Sequence, residues 1–222
     1  MKKSNPPSTN KEFTLSANFR QKAAVLQLRG PRQFRHIQVQ SLPRLPGREP
    51  LGVLTIGPHH LPCAIGRNGI GLKWREGDGV TPCGRFHVIN WLQRVDSWKL
   101  FRADFHRIAT TDGWCDDPES LCYNRKVRRP FRAGSEMLWR ADGIYDFIGI
   151  MDYNWRPRII GRGSAIFFHL AHRNYRPTAG CLALARADMR RIQSFISNHV
   201  RIDIGIYPLR RRLPKIAEPT RT

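Results

Sequence analysis

Apolar residues in this chain come in short runs, closed off by glycine, proline or charge, and most of the runs alternate. That pattern constrains the fold before anything else does, because a short run of period two fits a half-buried strand. His36-Ile37-Gln38-Val39-Gln40 alternates in this way. Leu51 to Ile56 and Leu61 to Ile65 read as successive strands joined by a short turn that carries His59 and His60, and Gly66 to Gly71 reads as another turn. Phe86 to Leu92, Ile144 to Tyr153, Ser164 to Leu170 and Arg201 to Tyr207 supply further strands. Only Ala187 to Asn198 has a clear helical period, with Met189, Ile192 and Ile196 at spacings of three and four. Residues 102–143 are dominated by Asp, Arg, Gly and Pro and read as long loops, which in a domain of this size tend to be functional. The sequence predicts a mainly β single domain with one notable helix, placed just after Cys181.

The chain's 222 residues accommodate one ordinary domain plus tails, and a hydrophobic fraction of 41% supports a core. The formal charge is +21 and is densest at the ends: +8 over residues 1–50, +4 over residues 201–222, and +9 over the long middle. This divides the chain into a basic, poorly ordered N-terminal arm (1–34), a domain (35–208) and a basic C-terminal tail (209–222). Such tails attract polyanions: nucleic acid, anionic lipid headgroups of a membrane surface, or anionic cell-wall polymers. Arg210-Arg211-Arg212 and the net charge motivate an alternative reading as a basic nucleic-acid-binding protein. The recognised nucleic-acid motifs are missing, so nucleic acid is not the expected partner. No run approaches the 18 or so apolar residues of a membrane span. Lys2 and Lys3 are followed by Ser4 to Asn10 where the apolar core of a signal peptide would lie, so none is visible at the given N-terminus.

Five cysteines is an odd number. Cys115 with Cys122, and Cys63 with Cys83, are possible pairs in an oxidising compartment, and both pairings leave Cys181 as the free thiol. Cys181 follows Thr178-Ala179-Gly180 and lies downstream of His169 and His172. A thiol attacks as thiolate, and a nearby imidazole can take its proton. The glycine lets the backbone turn tightly beside the sulfur. Strand phase separates the two histidines. Ala165, Phe167 and His169 share one face, and Ile166, Phe168 and Leu170 the other. His169 ends a strand and is the better-fixed base; His172 lies in the loop beyond it, at the rim. Zinc is a weaker reading. The spacing from His169 to His172 suits a helix rather than a strand, no acidic residue lies between them, and His59, His60 and Cys63 sit at a turn. No metal is expected.

Residues Gly161 to His169 and Pro177 to Leu184 resemble the L,D-transpeptidase catalytic domain (YkuD-like) family, in the branch with Thr-Ala-Gly-Cys in place of Ser-His-Gly-Cys. Upstream, Arg75 to Phe86 is similar to the family's Thr-Pro-x-Gly-x-Phe element, and Asp116-Asp117-Pro118 and Tyr123-Asn124 also resemble this branch. The resemblance spans roughly residues 50 to 208. It implies a β-sandwich catalytic domain and cysteine-dependent acyl transfer on peptidoglycan stem peptides, for cell-wall cross-linking or remodelling. Cys181 would be the nucleophile and His169 the general base. Backbone N–H groups at Gly180 and Cys181 would hold the oxyanion, and Thr178 would orient the loop or support proton transfer. A thioester would be the intermediate, with no metal and no organic cofactor. The family setting is the periplasm or cell envelope. An inactive cell-wall-binding module is the other reading that the resemblance leaves open. The better-known members carry an arginine two residues after the cysteine, where this chain has Ala183. Arg158, Arg162, Arg173 and Arg176 are candidates to supply a charge, and His172, Arg162, Arg173 and Arg176 are the candidate substrate-binding residues.

Overall fold

The computed structural model describes residues 34–44, 46–97 and 105–205. The N-terminal arm, Phe34 apart, and the C-terminal tail with Arg210-Arg211-Arg212 lie outside the described residues. Among the described residues, fourteen strands and one helix follow in chain order. They begin with β1 (Phe34–Ser41), β2 (Leu51–Ile56), β3 (His59–Ala64), β4 (Ile70–Gly71), β5 (Thr81–Pro82) and β6 (Gly84–Gln93). Next are β7 (His106–Arg107), β8 (Asp112–Cys115), β9 (Arg125–Arg128), β10 (Ser135–Met137), β11 (Phe147–Met151), β12 (Phe167–Leu170) and β13 (Leu182–Leu184). The helix α1 (Arg186–Gln193) and β14 (Ile196–Ile204) complete the fold. The described residues are mainly β with one helix after Cys181, as the patterning predicts.

Nine strands form the main sheet, in the order β11-β12-β13-β3-β2-β1-β14-β6-β7. Ten-residue β6 bends the sheet back on itself. Its first half pairs with β14 (Arg85↔Asp203, Phe86↔Ile202) and its second half with β11 (Trp91↔Gly149, Gln93↔Phe147). The sheet therefore has two apolar faces. One buries Ile37, Leu54, Ile65, Trp91, Phe147, Phe168, Leu182 and Ile202, with Met189 and Ile192 of α1 packed into it. The other buries Leu92, Trp114, Tyr145, Ile148, Phe167 and Cys181. Trp91 stacks on Phe147 with centroids 5.1 Å apart. A Cβ on Gly149 would come 2.7 Å from the Trp91 ring, so glycine is what lets β11 lie against this tryptophan.

Three sequence expectations are corrected. His59 and His60 open β3, paired with Ile56 and Thr55, rather than sitting in the turn. The helix ends at Gln193, and Ile196 belongs to β14, opposite Phe34 of β1. Ile196 pairs with β1, and Ile202 and Ile204 pair with β1 on one side and β6 on the other, so tertiary pairing overrides the local helical period. Residues 105–143 are not all loop. The short strands β8, β9 and β10 make a separate three-stranded sheet in the order β10-β8-β9. No helix among the described residues is long and apolar enough to cross a membrane.

Candidate active site

Parallel pairing of β12 with β13 builds the site. The register sets Phe168 beside Leu182, His169 beside Ala183 and Leu170 beside Leu184. Paired residues of neighbouring strands point to the same face. Phe168 and Leu182 therefore go into one core together, while Cys181, Phe167, His169 and Ala183 share the other face. The His169 face read from strand phase is the face that carries the thiol.

Cys181 is 7% exposed and His169 5% exposed, and both line one cavity of about 490 Å³. The Cys181 thiol donates to the Ala165 carbonyl at 3.1 Å, and the Phe167 N–H donates to the sulfur at 3.4 Å. His169 Nδ1 lies 2.9 Å from the Leu170 carbonyl. A carbonyl only accepts, so Nδ1 carries the proton and Nε2 keeps its lone pair. Burial pushes the Cys181 thiol up to about 12, against the lowering effect of the Phe167 N–H. Burial pulls His169 down to about 4, against the raising effect of its bond to Leu170. The resting pair is thus a neutral thiol and a neutral imidazole, not an ion pair.

The turn before the thiol is held by hydroxyls. Thr178 Oγ1 donates to the Cys181 carbonyl at 2.7 Å and accepts the Gly180 N–H at 3.1 Å. Thr81 Oγ1 reaches the same Cys181 carbonyl at 3.4 Å and accepts the Gly66 N–H at 2.7 Å. Gly180 has φ +143°, and a Cβ there would lie 2.8 Å from the Val80 carbonyl, so both its conformation and its packing require glycine. Ala165 also has positive φ, +51°. Buried Asn124 holds it there. Its Oδ1 accepts the Ala165 N–H at 3.1 Å and the Trp114 Nε1–H at 3.0 Å, while Nδ2 donates to the Tyr153 and Asn154 carbonyls.

A second part of the cavity lining comes from Glu76, Asp116, Glu136, Arg140 and Tyr145. The Tyr145 ring meets His169 edge-on with centroids 5.0 Å apart, and its hydroxyl donates to Glu136 Oε1 at 2.8 Å. Arg140 pairs with Glu136 at 3.7 Å and lies over the Tyr145 ring. Glu76 Oε2 accepts from the Tyr123 hydroxyl at 2.5 Å and from Ser164 Oγ at 2.7 Å. Burial raises the carboxyls of Glu136 and Asp116 above their ordinary range, and Glu76 adds to the rise at Asp116. A chain of net charge +21 thus lines its reactive cavity with three carboxylates.

Of the remaining sequence candidates, His172 and Arg176 are exposed residues of the cavity lining, while Arg162 and Arg173 stay outside it. Arg158 donates to the Tyr123 carbonyl at 2.7 Å. The five cysteines are all free thiols, so neither candidate pair is bridged. No group of three or more His, Cys, Asp or Glu among the described residues is arranged to hold a metal ion. His60 instead meets Thr55 Oγ1, and His59 stacks on Phe195. Sequence reasoning missed Glu136, Arg140 and Tyr145. Glu136 and Arg140 come from the stretch read as loop and Tyr145 from the start of a strand, and only the folded chain sets them beside His169.

The family model of the L,D-transpeptidase catalytic domain matches residues 56–204, two thirds of the chain. The chain belongs to that family. It is therefore placed among L,D-transpeptidase-like enzymes that act on peptidoglycan. No curated protein and no solved structure matches it.

Proposed function

We propose that this protein cleaves and re-forms peptide bonds of peptidoglycan stems through a thioester on Cys181. The observation that carries the reading is the shared cavity of Cys181 and His169 with His169 Nδ1 committed to Leu170, which leaves Nε2 as the only ring nitrogen able to take a proton. The sulfur attacks the carbonyl after the third stem residue while its proton passes to His169 Nε2. The resting thiol keeps its proton, so that proton passes to His169 within the acylation step. The oxyanion lies against the backbone N–H groups of the Gly180–Cys181 turn. The Gly180 N–H rests on Thr178 Oγ1 and must leave it to meet the oxyanion, while Thr178 holds the turn. The intermediate collapses, the C–N bond breaks, and the departing D-amino acid takes the proton back from His169. A second amine then adds to the thioester, gives its extra proton to His169, and expels the sulfur, which is reprotonated.

Intact-protein mass spectrometry after mixing with a stem tetrapeptide tests this. The expected result is an adduct equal to the tetrapeptide less its terminal D-amino acid, absent in Cys181→Ala and released by an added D-amino acid as acceptor. A carbapenem, whose strained lactam carbonyl acylates this family, serves as a second probe. An adduct that persists in Cys181→Ala, or none on the wild type while a control family member reacts, overturns the reading.

A further inference from the structure

The Lys73 side chain is buried, with 1% of its surface exposed. Its Nζ bonds to Asp78 Oδ1 at 2.5 Å. The chain of Lys73 threads between two glycines of positive φ on either side of the site. A Cβ on Gly163 would overlap Lys73 Cε, and a Cβ on Gly180 would lie 3.6 Å from Lys73 Nζ. A buried ammonium thus abuts the residue that precedes Cys181. Asp78, its partner, is held by the backbone N–H groups of Val80 (3.0 Å), Trp74 (3.0 Å) and Arg75 (3.3 Å). Burial works against this carboxylate, but the bonds from Lys73 and the three N–H groups outweigh it and keep its pKa below the ordinary range. The Val80 carbonyl of the same loop also packs on Gly180. Burying a lysine costs several kcal/mol unless it is paired. Leu182, Ala183 and Leu184 bring no cation from the strand that follows Cys181.

We infer that Lys73, locked by Asp78 beneath the Gly180–Cys181 turn, is an electrostatic positioning residue that favours negative charge on the sulfur and on the oxyanion beside it. Glu136 and Glu76 of the cavity lining oppose ionisation of the sulfur, Lys73 and the Phe167 N–H favour it, and Asp78 offsets part of the Lys73 charge. The inference rests on Cys181 being the nucleophile, but its test does not need the stem peptide.

The rate of Cys181 alkylation by iodoacetamide, read by peptide mass mapping from about pH 6 to pH 9, follows the thiolate fraction. Lys73→Met should lower the whole profile about tenfold without changing its slope, as loss of a close opposite charge predicts. Lys73→Arg should restore it to within about threefold. Asp78→Asn leaves the ammonium without its counter-ion and should move the profile the other way, upward. A cooperatively melting Lys73→Met protein with wild-type alkylation overturns the inference. Where Lys73→Met does not fold, Asp78→Asn decides, and an unmoved or lowered profile overturns it. Failure of the tetrapeptide adduct with normal Lys73 behaviour would instead remove the proposed activity and leave this charge effect standing.

Discussion

The cavity lining is built in two different ways. One part is the β12–β13 ledge, where Cys181 and His169 stand on paired backbone and make their hydrogen bonds to main-chain groups: Ala165 O, Phe167 N and Leu170 O. The other part comes from the region of short strands, β8 to β10, and the turn after it, where Glu136, Arg140 and Tyr145 hold one another through side chains. Backbone pairing fixes atoms to the few tenths of an ångström that proton transfer demands. A side-chain network of charges is softer, and burial raises the carboxyls of Glu136 and Asp116 in it. On the proposed mechanism, bond chemistry falls to the ledge and tuning to the network.

The largest expected effect falls on the ledge. His169→Gln should lower the rate of tetrapeptide adduct formation about 10³-fold, the usual loss for a general base, as followed by intact mass in single turnover. The same residue sets a pH dependence of stability. Its folded pKa of about 4 lies below the unfolded value near 6.5, so as pH falls the unfolded chain takes up the proton first. Its contribution is complete above about pH 6.5 and is lost progressively towards pH 4, a change of about 3 kcal/mol in denaturant titrations that His169→Gln should flatten. Asn124→Ala comes next. It orphans the buried Trp114 Nε1–H and frees Ala165 from its positive φ, and should cost about 2 kcal/mol in urea midpoint while slowing acylation. Equal slowing from a network variant as stable as wild type would break the division of labour. The smallest effect is expected from Glu136→Gln. It keeps an acceptor for Tyr145, changes stability by less than about 0.5 kcal/mol, and raises Cys181 alkylation a few-fold because Glu136 opposes ionisation of the sulfur.

Strand phase alone chose the face of His169, and the parallel register then placed Cys181 on that face. The short strands β8 to β10 were hidden because Arg125-Lys126-Val127-Arg128 offers one apolar residue to bury and Asp112 to Cys115 buries all four. Neither pattern has a readable alternation. The overlong helix shows the converse. Ile196 keeps a helical spacing from Ile192, yet pairing with Phe34 of β1 claims its backbone.

Local pattern by itself determined the mainly β fold, the strand that ends in His169 and the glycine-hinged turn into Cys181, because alternation and turn chemistry act between residues close in sequence. Tertiary structure alone decided that Tyr145 and Glu136 stand beside the histidine, that Asn124 holds Ala165, and that Lys73 lies under Gly180. Those contacts join residues far apart along the chain, and burial, register and paired charge fix them only once the sheet has closed.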